Sequence, residues 1–203
     1  MLDKKRIRLA AEGDTASILQ IYAPYITDTV ISFEYQVPTQ VEFCERMATI
    51  QRRYPWLVCE INDNIVGYAY ASSYSGREAY NWSIDFSVYI NPEFQRKNIG
   101  KALYFALIEL SKLQGYYNVY TGVTIPNIKS ESLHESFGFK TIGVYKDVGY
   151  KFGSWHDVKR YGLKIKEHVQ SPKKPKSIDE ISNTNEFKAI IEKAERMVKL
   201  NSD

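Results

Sequence analysis

The apolar and polar positions at the start of the chain change from a strand pattern to a helix pattern. Residues 7–10 predict a short opening strand, and Asp14 stands where its side chain can cap a helix. The next apolar positions keep the spacing of an amphipathic helix: Ile18, Leu19, Tyr22 and Ile26. Pro24 disfavours helical backbone in the residue before it, so we expect this helix to break near Ala23.

A second helix and a hairpin follow along the chain. Thr39 and Glu42 have the spacing of a capping box, and the apolar residues after them continue at helical period. Residues 57–61 and 65–71 are two runs rich in strand-forming residues. The Asn-Asp-Asn segment at 62–64 joins them, and these residue types tolerate the left-handed backbone of a tight turn. The pattern therefore predicts a β-hairpin.

A strand with one polar face opens the second half of the chain. Residues 83–90 alternate between apolar side chains and a second set that forms the other face: Ser83, Asp85, Ser87 and Tyr89. A long helix with one apolar stripe is predicted from about Gly100, and Gly115 is placed to end it. The two elements are joined by a short polar loop.

The remaining elements complete an α/β order. Residues 118–123 predict a strand, residues 129–136 a short helix, and residues 139–145 and 157–164 two further strands. The order is βααββ followed by βαβαββ. Because a hairpin-rich first half is combined with βα crossovers, the chain predicts a mixed, twisted sheet flanked by helices.

The composition changes after the last predicted strand. We expect one domain over residues 1–166, a linker over residues 167–184 that contains the Lys- and Pro-rich segment 171–176, and an amphipathic helix over residues 185–203. The apolar face of this helix is formed by Phe187, Ile190, Ile191, Ala194, Met197 and Val198. Such a face must be covered, so we expect it to pack on its own domain or on a dimer partner rather than to act in catalysis.

Composition narrows the class of protein. With 203 residues, 44% of them hydrophobic and 25% charged, the chain matches an ordinary globular protein and not a disordered one. A net charge of +3 is too small for a nucleic-acid surface, and no apolar run is long enough to span a membrane. Cys44 and Cys59 lie in apolar runs, which indicates buried thiols without a metal or disulfide framework. These features predict a cytoplasmic protein.

The loop before the long helix is the clearest candidate for binding chemistry. Residues 95–100 place backbone N–H groups at a helix N-terminus, where the helix dipole favours an anion. Arg96, Lys97 and Lys101 add positive charge at this point. A pyrophosphate site is one interpretation of this loop, and a solvated helix cap is the other.

Two motifs resemble the acetyl-CoA signatures of the GNAT acetyltransferase superfamily. One is Pro-x-x-Gln-x-x-Asn-x-Gly at residues 92–100, and the other is Asn-x-x-Ser-x-x-Leu-His-Glu-x-x-Gly-Phe at residues 127–139. Further segments are similar to the branch of phosphinothricin and methionine sulfoximine N-acetyltransferases: residues 53–58, 79–82, 87–89, 149–151 and 155–158. The resemblance covers about residues 5–165 in the order and spacing of that family.

The resemblance implies the GNAT acyl-CoA N-acyltransferase fold, a homodimer, and transfer from acetyl-CoA to the α-amine of a small amino acid or analogue. The amine attacks directly within a ternary complex, with Asp85 as general base and His134 as proton donor or relay. Implied contacts to the cofactor are Ser87, Val88, Tyr89, Gln95, Arg96, Lys97, Asn98, Ile99, Gly100, Lys101, Asn127 and Ser136. Implied contacts to the substrate are Phe33, Arg77, Tyr80 and Trp82. No metal is implied.

Three departures from the family pattern leave alternatives open. Asp85 replaces a longer Glu, Asn98 replaces the first glycine of the loop, and Ser75 replaces a Lys near Arg77. Asn tolerates positive φ better than other non-glycine residues, so we expect the loop to form. One alternative is a CoA-binding sensor or scaffold without turnover. The other keeps the enzyme and changes the acceptor to a polyamine, a peptide or a drug amine.

Overall fold

The computed structural model describes residues 4–200, and within them seven strands form one sheet in the order β1-β2-β3-β4-β5-β7-β6. The strands are β1 (Lys5–Leu9), β2 (Trp56–Ile61), β3 (Asn64–Ser73), β4 (Ser83–Ile90), β5 (Asn118–Ile125), β6 (Lys140–Lys151) and β7 (Ser154–Lys164). The helices are α1 (Thr15–Thr27), α2 (Gln40–Gln51), α3 (Ile99–Gln114), α4 (Ile128–Ser136), α5 (Asp179–Ser182) and α6 (Asn185–Met197). The predicted order of elements is confirmed.

The sheet is mixed, as predicted. β4 and β5 are its parallel pair, because α3 carries the chain back to the starting edge between them, and the other neighbouring strands are antiparallel. β2 and β3 form the predicted hairpin. Its turn places Asn62 at φ 51° and Asp63 at φ 60°, the left-handed conformation that these residue types accept.

Two hydrophobic cores cover the two faces of the sheet. Alternate residues of β2 are divided between them, since successive side chains of a strand point to opposite faces. Trp56 and Val58 pack with α1 and α2, whereas Leu57 and Cys59 pack with α3 and the C-terminal segment. The central strands are therefore enclosed on both sides.

Helix boundaries follow the predicted capping chemistry at the start of α2 and differ from the prediction at both ends of α1. Thr39 accepts a hydrogen bond from the backbone of Glu42, which completes the predicted capping box of α2. The predicted break at Pro24 is wrong: α1 continues to Thr27, because Pro removes one backbone donor near the helix end and the last turn still closes on the Pro24 carbonyl. Asp14 precedes α1 without a side-chain cap, because its carboxylate binds the guanidinium of Arg8.

The segment expected to be a linker is docked on the domain. Ile178 and Ile181 are buried in the same core as α3, and the N–H of Lys176 donates to the carbonyl of Gln114 at the end of α3. α6 then packs on α3 and β1, with Ala194 and Val198 buried. Of the two predicted coverings of this apolar face, its own domain or a dimer partner, the structure shows the first.

Candidate active site

β4 and β5 pair over their first three residues and then separate. Ser83 to Asp85 pair with Asn118 to Tyr120, whereas β4 runs on to Ile90 and β5 to Ile125. Beyond Asp85, no strand within residues 4–200 pairs with the edge of β4 that faces β5. The sheet therefore contains a gap lined by backbone hydrogen-bonding groups.

Side-chain contacts show which backbone groups of β4 face this gap. The carbonyl of Phe86 accepts a hydrogen bond from the Thr121 hydroxyl on β5 at 3.2 Å, and the carbonyl of Ile90 accepts one from the Tyr25 hydroxyl at 2.6 Å. Because alternate residues of a strand present their N–H and C=O to the same side, Val88 also directs both groups into the gap. The same register turns the amide of Tyr89 toward β3, contrary to the expectation that it faces a cofactor.

The loop at the end of the gap has the shape of an anion site. Arg96 has φ 66° and Asn98 has φ 58°, and α3 begins at the next residue, so its first N–H groups emerge from this loop. The prediction that Asn98 accepts the conformation of the family's glycine is confirmed. Gln95 accepts a hydrogen bond from Lys129 at 2.7 Å, which ties the loop to α4. Successive backbone N–H groups of such a turn, together with a following helix N-terminus, favour phosphate groups.

Asp85 stands where the two strands begin to separate. Burial raises the pKa of its carboxyl to about 6, while the Arg160 guanidinium and the backbone N–H of Phe86 oppose this shift. The Oδ2 atom lies 3.3 Å from Nη2 of Arg160, and the side chain of Asp85 keeps 26% of its surface exposed. A carboxylate with this pKa that is still reached by solvent can accept a proton near neutral pH.

His134, the second predicted catalytic residue, lies in the core and is 2% exposed. Its Nδ1 is 2.6 Å from the carbonyl oxygen of Ser130, which can only accept, so Nδ1 carries the proton. Nε2 therefore accepts from the Tyr104 hydroxyl at 2.8 Å. Burial lowers the pKa of the imidazole, and the ring stacks on Tyr161. The structure places His134 as a neutral, hydrogen-bonded group behind Tyr104.

Three of the four predicted substrate residues lie in one segment, residues 77–82, and the fourth is Phe33. The ring of Phe33 packs on Gly149, where an added Cβ would lie 2.1 Å from the ring, and Arg77 is exposed before a single helical turn. Tyr80 ends this turn and packs edge-on against Tyr74. The indole N–H of Trp82 donates to the carbonyl of Lys173 at 2.8 Å, so the polar atom of this side chain is held by the C-terminal segment.

The remaining predicted cofactor residues have local structural partners. Asn127 caps α4 by accepting a hydrogen bond from the N–H of Ser130 at 3.2 Å, and the Ser136 hydroxyl donates to the carbonyl of Leu133 at 2.8 Å. Lys101 is exposed on the first turn of α3. A Cβ at Gly100 would make only ordinary contacts, so there is room beside this first turn.

Several residues that shape the site were not among those predicted from the sequence. Arg160 reaches Asp85 from β7, and Tyr25 reaches the gap from α1. Lys151 is buried and donates to three backbone carbonyls in and just after α1, at 2.6 to 2.9 Å, which fixes the segment before Phe33. The alternation of residues around Arg160 and Lys151 indicates only which face of its strand each side chain occupies. Long-range strand pairing brings both residues to the site.

Comparison with known proteins agrees with this geometry. The acetyltransferase (GNAT) domain family matches residues 7–159, and the chain therefore belongs to the GNAT acetyltransferase family. A phosphinothricin N-acetyltransferase from Streptomyces viridochromogenes is 36% identical over 152 residues, which are 75% of this chain and 83% of that protein. An L-methionine sulfoximine/L-methionine sulfone acetyltransferase from Salmonella typhimurium is 31% identical over 167 residues, 80% of this chain and 96% of that protein.

A solved structure supports the same assignment. The GNAT superfamily phosphinothricin acetyltransferase from Sinorhizobium meliloti, in complex with AcCoA, matches with a TM-score of 0.81 at 29% identity, over 91% of this chain and 100% of that chain. The predicted family and fold are confirmed, and the chain is an N-acetyltransferase. Within residues 4–200, no helix is long and apolar enough to cross a membrane, and no side-chain cluster has the composition of a metal site.

Proposed function

We propose that this enzyme transfers the acetyl group of acetyl-CoA to the α-amine of a small amino acid or analogue, of the phosphinothricin, methionine sulfoximine or methionine sulfone type. The observation that carries the proposal is the Asp85 carboxylate at the point where β4 and β5 separate. The names of the relatives from Streptomyces viridochromogenes and Salmonella typhimurium support the substrate class.

The residues around the gap fit acetyl-CoA as a ligand. The N–H and C=O of Val88 are directed to the side where an extended amide-containing chain would pair with β4, and the loop at residues 95–100 offers N–H groups to a pyrophosphate. The bound cofactor supplies an acetyl thioester whose carbonyl carbon accepts the amine. The residues of this chain hold the carbonyl and the phosphates in place.

Asp85 prepares the acceptor amine. An α-ammonium has a pKa near about 8, so most of it is protonated at neutral pH and must lose a proton before it can form a C–N bond. Asp85 accepts that proton, directly or through one water, and passes it to solvent. The neutral amine then forms the C–N bond, the C–S bond breaks with its electron pair on sulfur, and the second proton that the nitrogen loses passes to the sulfur or to solvent. His134 acts through Tyr104: by accepting from its hydroxyl, it orients Tyr104, which lies within electrostatic reach of Asp85.

A thiol-release assay tests the proposal. Acetyl-CoA is supplied with a panel of free amino acids, methionine sulfoximine, methionine sulfone, phosphinothricin, a polyamine and a peptide. We expect CoA release with small α-amino acids or their analogues. Binding of acetyl-CoA by calorimetry without CoA release for any amine would instead favour a sensor or scaffold, and release with the polyamine or peptide alone would change the acceptor class.

Gly100→Glu tests the cofactor site separately. The new carboxylate would stand at the N-terminus of α3, where it repels the pyrophosphate, so calorimetric binding of acetyl-CoA should be lost. Gly100→Ala is the matched control, since its Cβ meets Leu133 and Ile90 only at 3.8 and 4.0 Å. Unchanged affinity in a folded Gly100→Glu protein would contradict the assignment.

The proposal includes a homodimer in the cytoplasm, without nucleic-acid or membrane partners. Support for the dimer comes from the β6–β7 hairpin, which exposes an apolar set: Ile142, Val144, Tyr145, Val148, Tyr150, Phe152 and Trp155. Apolar patches of this kind mark protein interfaces more often than free surface. Light scattering of the protein and of Trp155→Lys should show a dimer that the substitution weakens. A monomer in both cases would contradict the dimer.

A further inference from the structure

Arg160 brings a charge to the site from a distant strand. It lies on β7, where its backbone faces Gly122 of β5. An added Cβ at Gly122 would lie 2.7 Å from Nη1 and 3.6 Å from Cζ of Arg160. Gly122 does not have a positive φ, so its backbone does not require glycine. The missing side chain instead gives the guanidinium a path across β5.

The guanidinium ends beside Asp85 without fully engaging it. Nη2 of Arg160 is 3.3 Å from Oδ2 of Asp85, and the two side chains are 23% and 26% exposed. Charge-assisted hydrogen bonds are usually shorter, at about 2.7–2.9 Å. A guanidinium has five N–H donors, and within residues 4–200 Asp85 is the only hydrogen-bond partner described for this one. The pair can therefore receive a ligand that offers better-placed charges.

An α-amino acid carries one charge complementary to each member of the pair: its carboxylate matches the guanidinium, and its ammonium matches the Asp85 carboxylate. We propose that Arg160 binds the α-carboxylate of the acceptor while Asp85 receives its ammonium, so that the zwitterion replaces the ion pair between β4 and β7. The inference rests on the proposed function and deepens it. Arg160 becomes the residue that selects α-amino acids over amines without a carboxylate, and it releases Asp85 for proton transfer only when the acceptor is bound.

Two further groups that interact with Asp85 are uncharged at neutral pH. Tyr70 on β3 and Tyr104 on α3 interact electrostatically with Asp85, and burial raises the pKa of both phenols. Arg77 is the other candidate for the carboxylate, but it is exposed before the turn Glu78–Tyr80, where solvent weakens an ion pair. The partly enclosed guanidinium of Arg160 gives the stronger carboxylate site.

The test compares an acid with its amide. Arg160→Gln, Arg160→Lys and the control Lys164→Gln, which removes an exposed ion pair on the same strand, are assayed with L-methionine sulfone and with L-methionine sulfone amide. Two quantities are measured: kcat/KM, and the calorimetric Kd of each compound in the presence of CoA. The amide keeps the amine and loses the carboxylate charge.

We expect Arg160→Gln to weaken binding of the acid by about 10- to 100-fold, the loss of one charge-assisted contact, and to leave the amide unchanged. Arg160→Lys should recover part of the preference for the acid, and Lys164→Gln should alter neither compound. Gly122→Ala provides a second route, because its Cβ displaces the guanidinium and keeps the charge. Like Arg160→Gln, this substitution should reduce the preference for the acid over the amide.

A pH profile separates substrate binding from an indirect effect on Asp85. The positive charge of Arg160 lowers the pKa of Asp85. Arg160→Gln should therefore shift the low-pH limb of the kcat/KM profile for the amide to higher pH. Two results would overturn the inference. One is an equal loss of affinity for acid and amide in Arg160→Gln, and the other is a preference for the acid that is lost in Arg77→Gln but kept in Arg160→Gln. If the enzyme acetylates neither compound, the proposed function fails, while the calorimetric comparison still decides the role of Arg160. If the native enzyme does not bind L-methionine sulfone, the proposed role of Arg160 is wrong.

Discussion

Asp85 and His134 are both titratable groups enclosed by the protein, but burial shifts their pKa values in opposite directions. It raises the pKa of Asp85 to about 6 and lowers the pKa of His134, because both shifts disfavour the charged form. For the carboxylate this means a higher affinity for protons near neutral pH. For the imidazole it means a ring that stays neutral.

Hydrogen bonding separates the two regions further. Both ring nitrogens of His134 are engaged, one by Ser130 and one by Tyr104, so no atom is left to exchange protons with a ligand. The Asp85 carboxylate makes a long contact to Arg160 and is also reached by the backbone N–H of Phe86, and 26% of its side chain stays exposed. A perturbed pKa therefore marks a reactive group only where solvent or substrate reaches the atom that titrates. By this criterion we propose that His134 is a positioning residue.

The largest expected effect comes from removing the carboxylate. Asp85→Asn preserves the shape of the side chain, so acetyl-CoA binding should be unchanged while kcat falls by ~10²–10⁴-fold, as for loss of a general base. In the native enzyme, kcat/KM should fall as the pH drops through about 6, where Asp85 becomes protonated. Stopped-flow or thiol-release kinetics across pH 5–9 measure both quantities.

Asp85→Glu is the matched control for this substitution. It restores the longer carboxylate of the family and should keep substantial activity. The low-pH limb should flatten in Asp85→Asn and persist in Asp85→Glu. Native turnover in Asp85→Asn, with an unchanged pH profile, would show that Asp85 is only a structural carboxylate.

The opposite result is expected for His134. His134→Phe keeps the stacking on Tyr161 and leaves the buried Tyr104 hydroxyl without its acceptor, which costs about 1–3 kcal/mol in the free energy of unfolding. We expect kcat to change by less than about tenfold, since no proton passes through the ring. Chemical denaturation measures the free energy of unfolding, and steady-state kinetics measure kcat. The double variant with Tyr104→Phe should recover stability, and a loss of kcat as large as in Asp85→Asn would refute the contrast.

The pH dependence of stability should separate the two groups by sign. Asp85 has a raised pKa, so between the ordinary aspartate pKa of 3.8 and about 6 the folded state binds more protons and this group favours folding at lower pH. His134 has a lowered pKa, so below the ordinary histidine pKa of 6.5 the unfolded state binds more protons and stability is lost as the pH falls. Compared with the native protein, Asp85→Asn should therefore lose stability more steeply on acidification, and His134→Phe less steeply.

The smallest effect is expected at the far end of the gap. The N–H of Lys199, after α6, donates to the carbonyl of Lys97 in the loop at residues 95–100 at 2.9 Å. Lys199→Pro removes this donor, so the KM for acetyl-CoA should rise about 2- to 10-fold, as for one neutral hydrogen bond, with kcat unchanged. Lys199→Ala keeps the N–H and is the control. Equal KM values in both variants would show that this contact does not position the loop.

Much of this protein is determined by its sequence alone. Local patterns predicted the order of the strands and helices, the capping box of α2, the hairpin turn and the left-handed Asn98. These features depend on a few neighbouring residues, so the chemistry of each short segment is sufficient. The candidate base, Asp85, was also visible, because its strand carries one polar face and stands before a loop with the family's motif.

Only the tertiary structure decided the surroundings of those residues. The approach of Arg160 to Asp85 depends on the register between β5 and β7, which pairs Gly122 with Arg160 across a long stretch of chain. The neutrality of His134 depends on Tyr104 and Tyr161, contributed by α3 and β7. Charge, burial and hydrogen-bond partners are properties of assembled surfaces, and long-range strand pairing sets them. The spacing of residues along one segment therefore cannot reveal them.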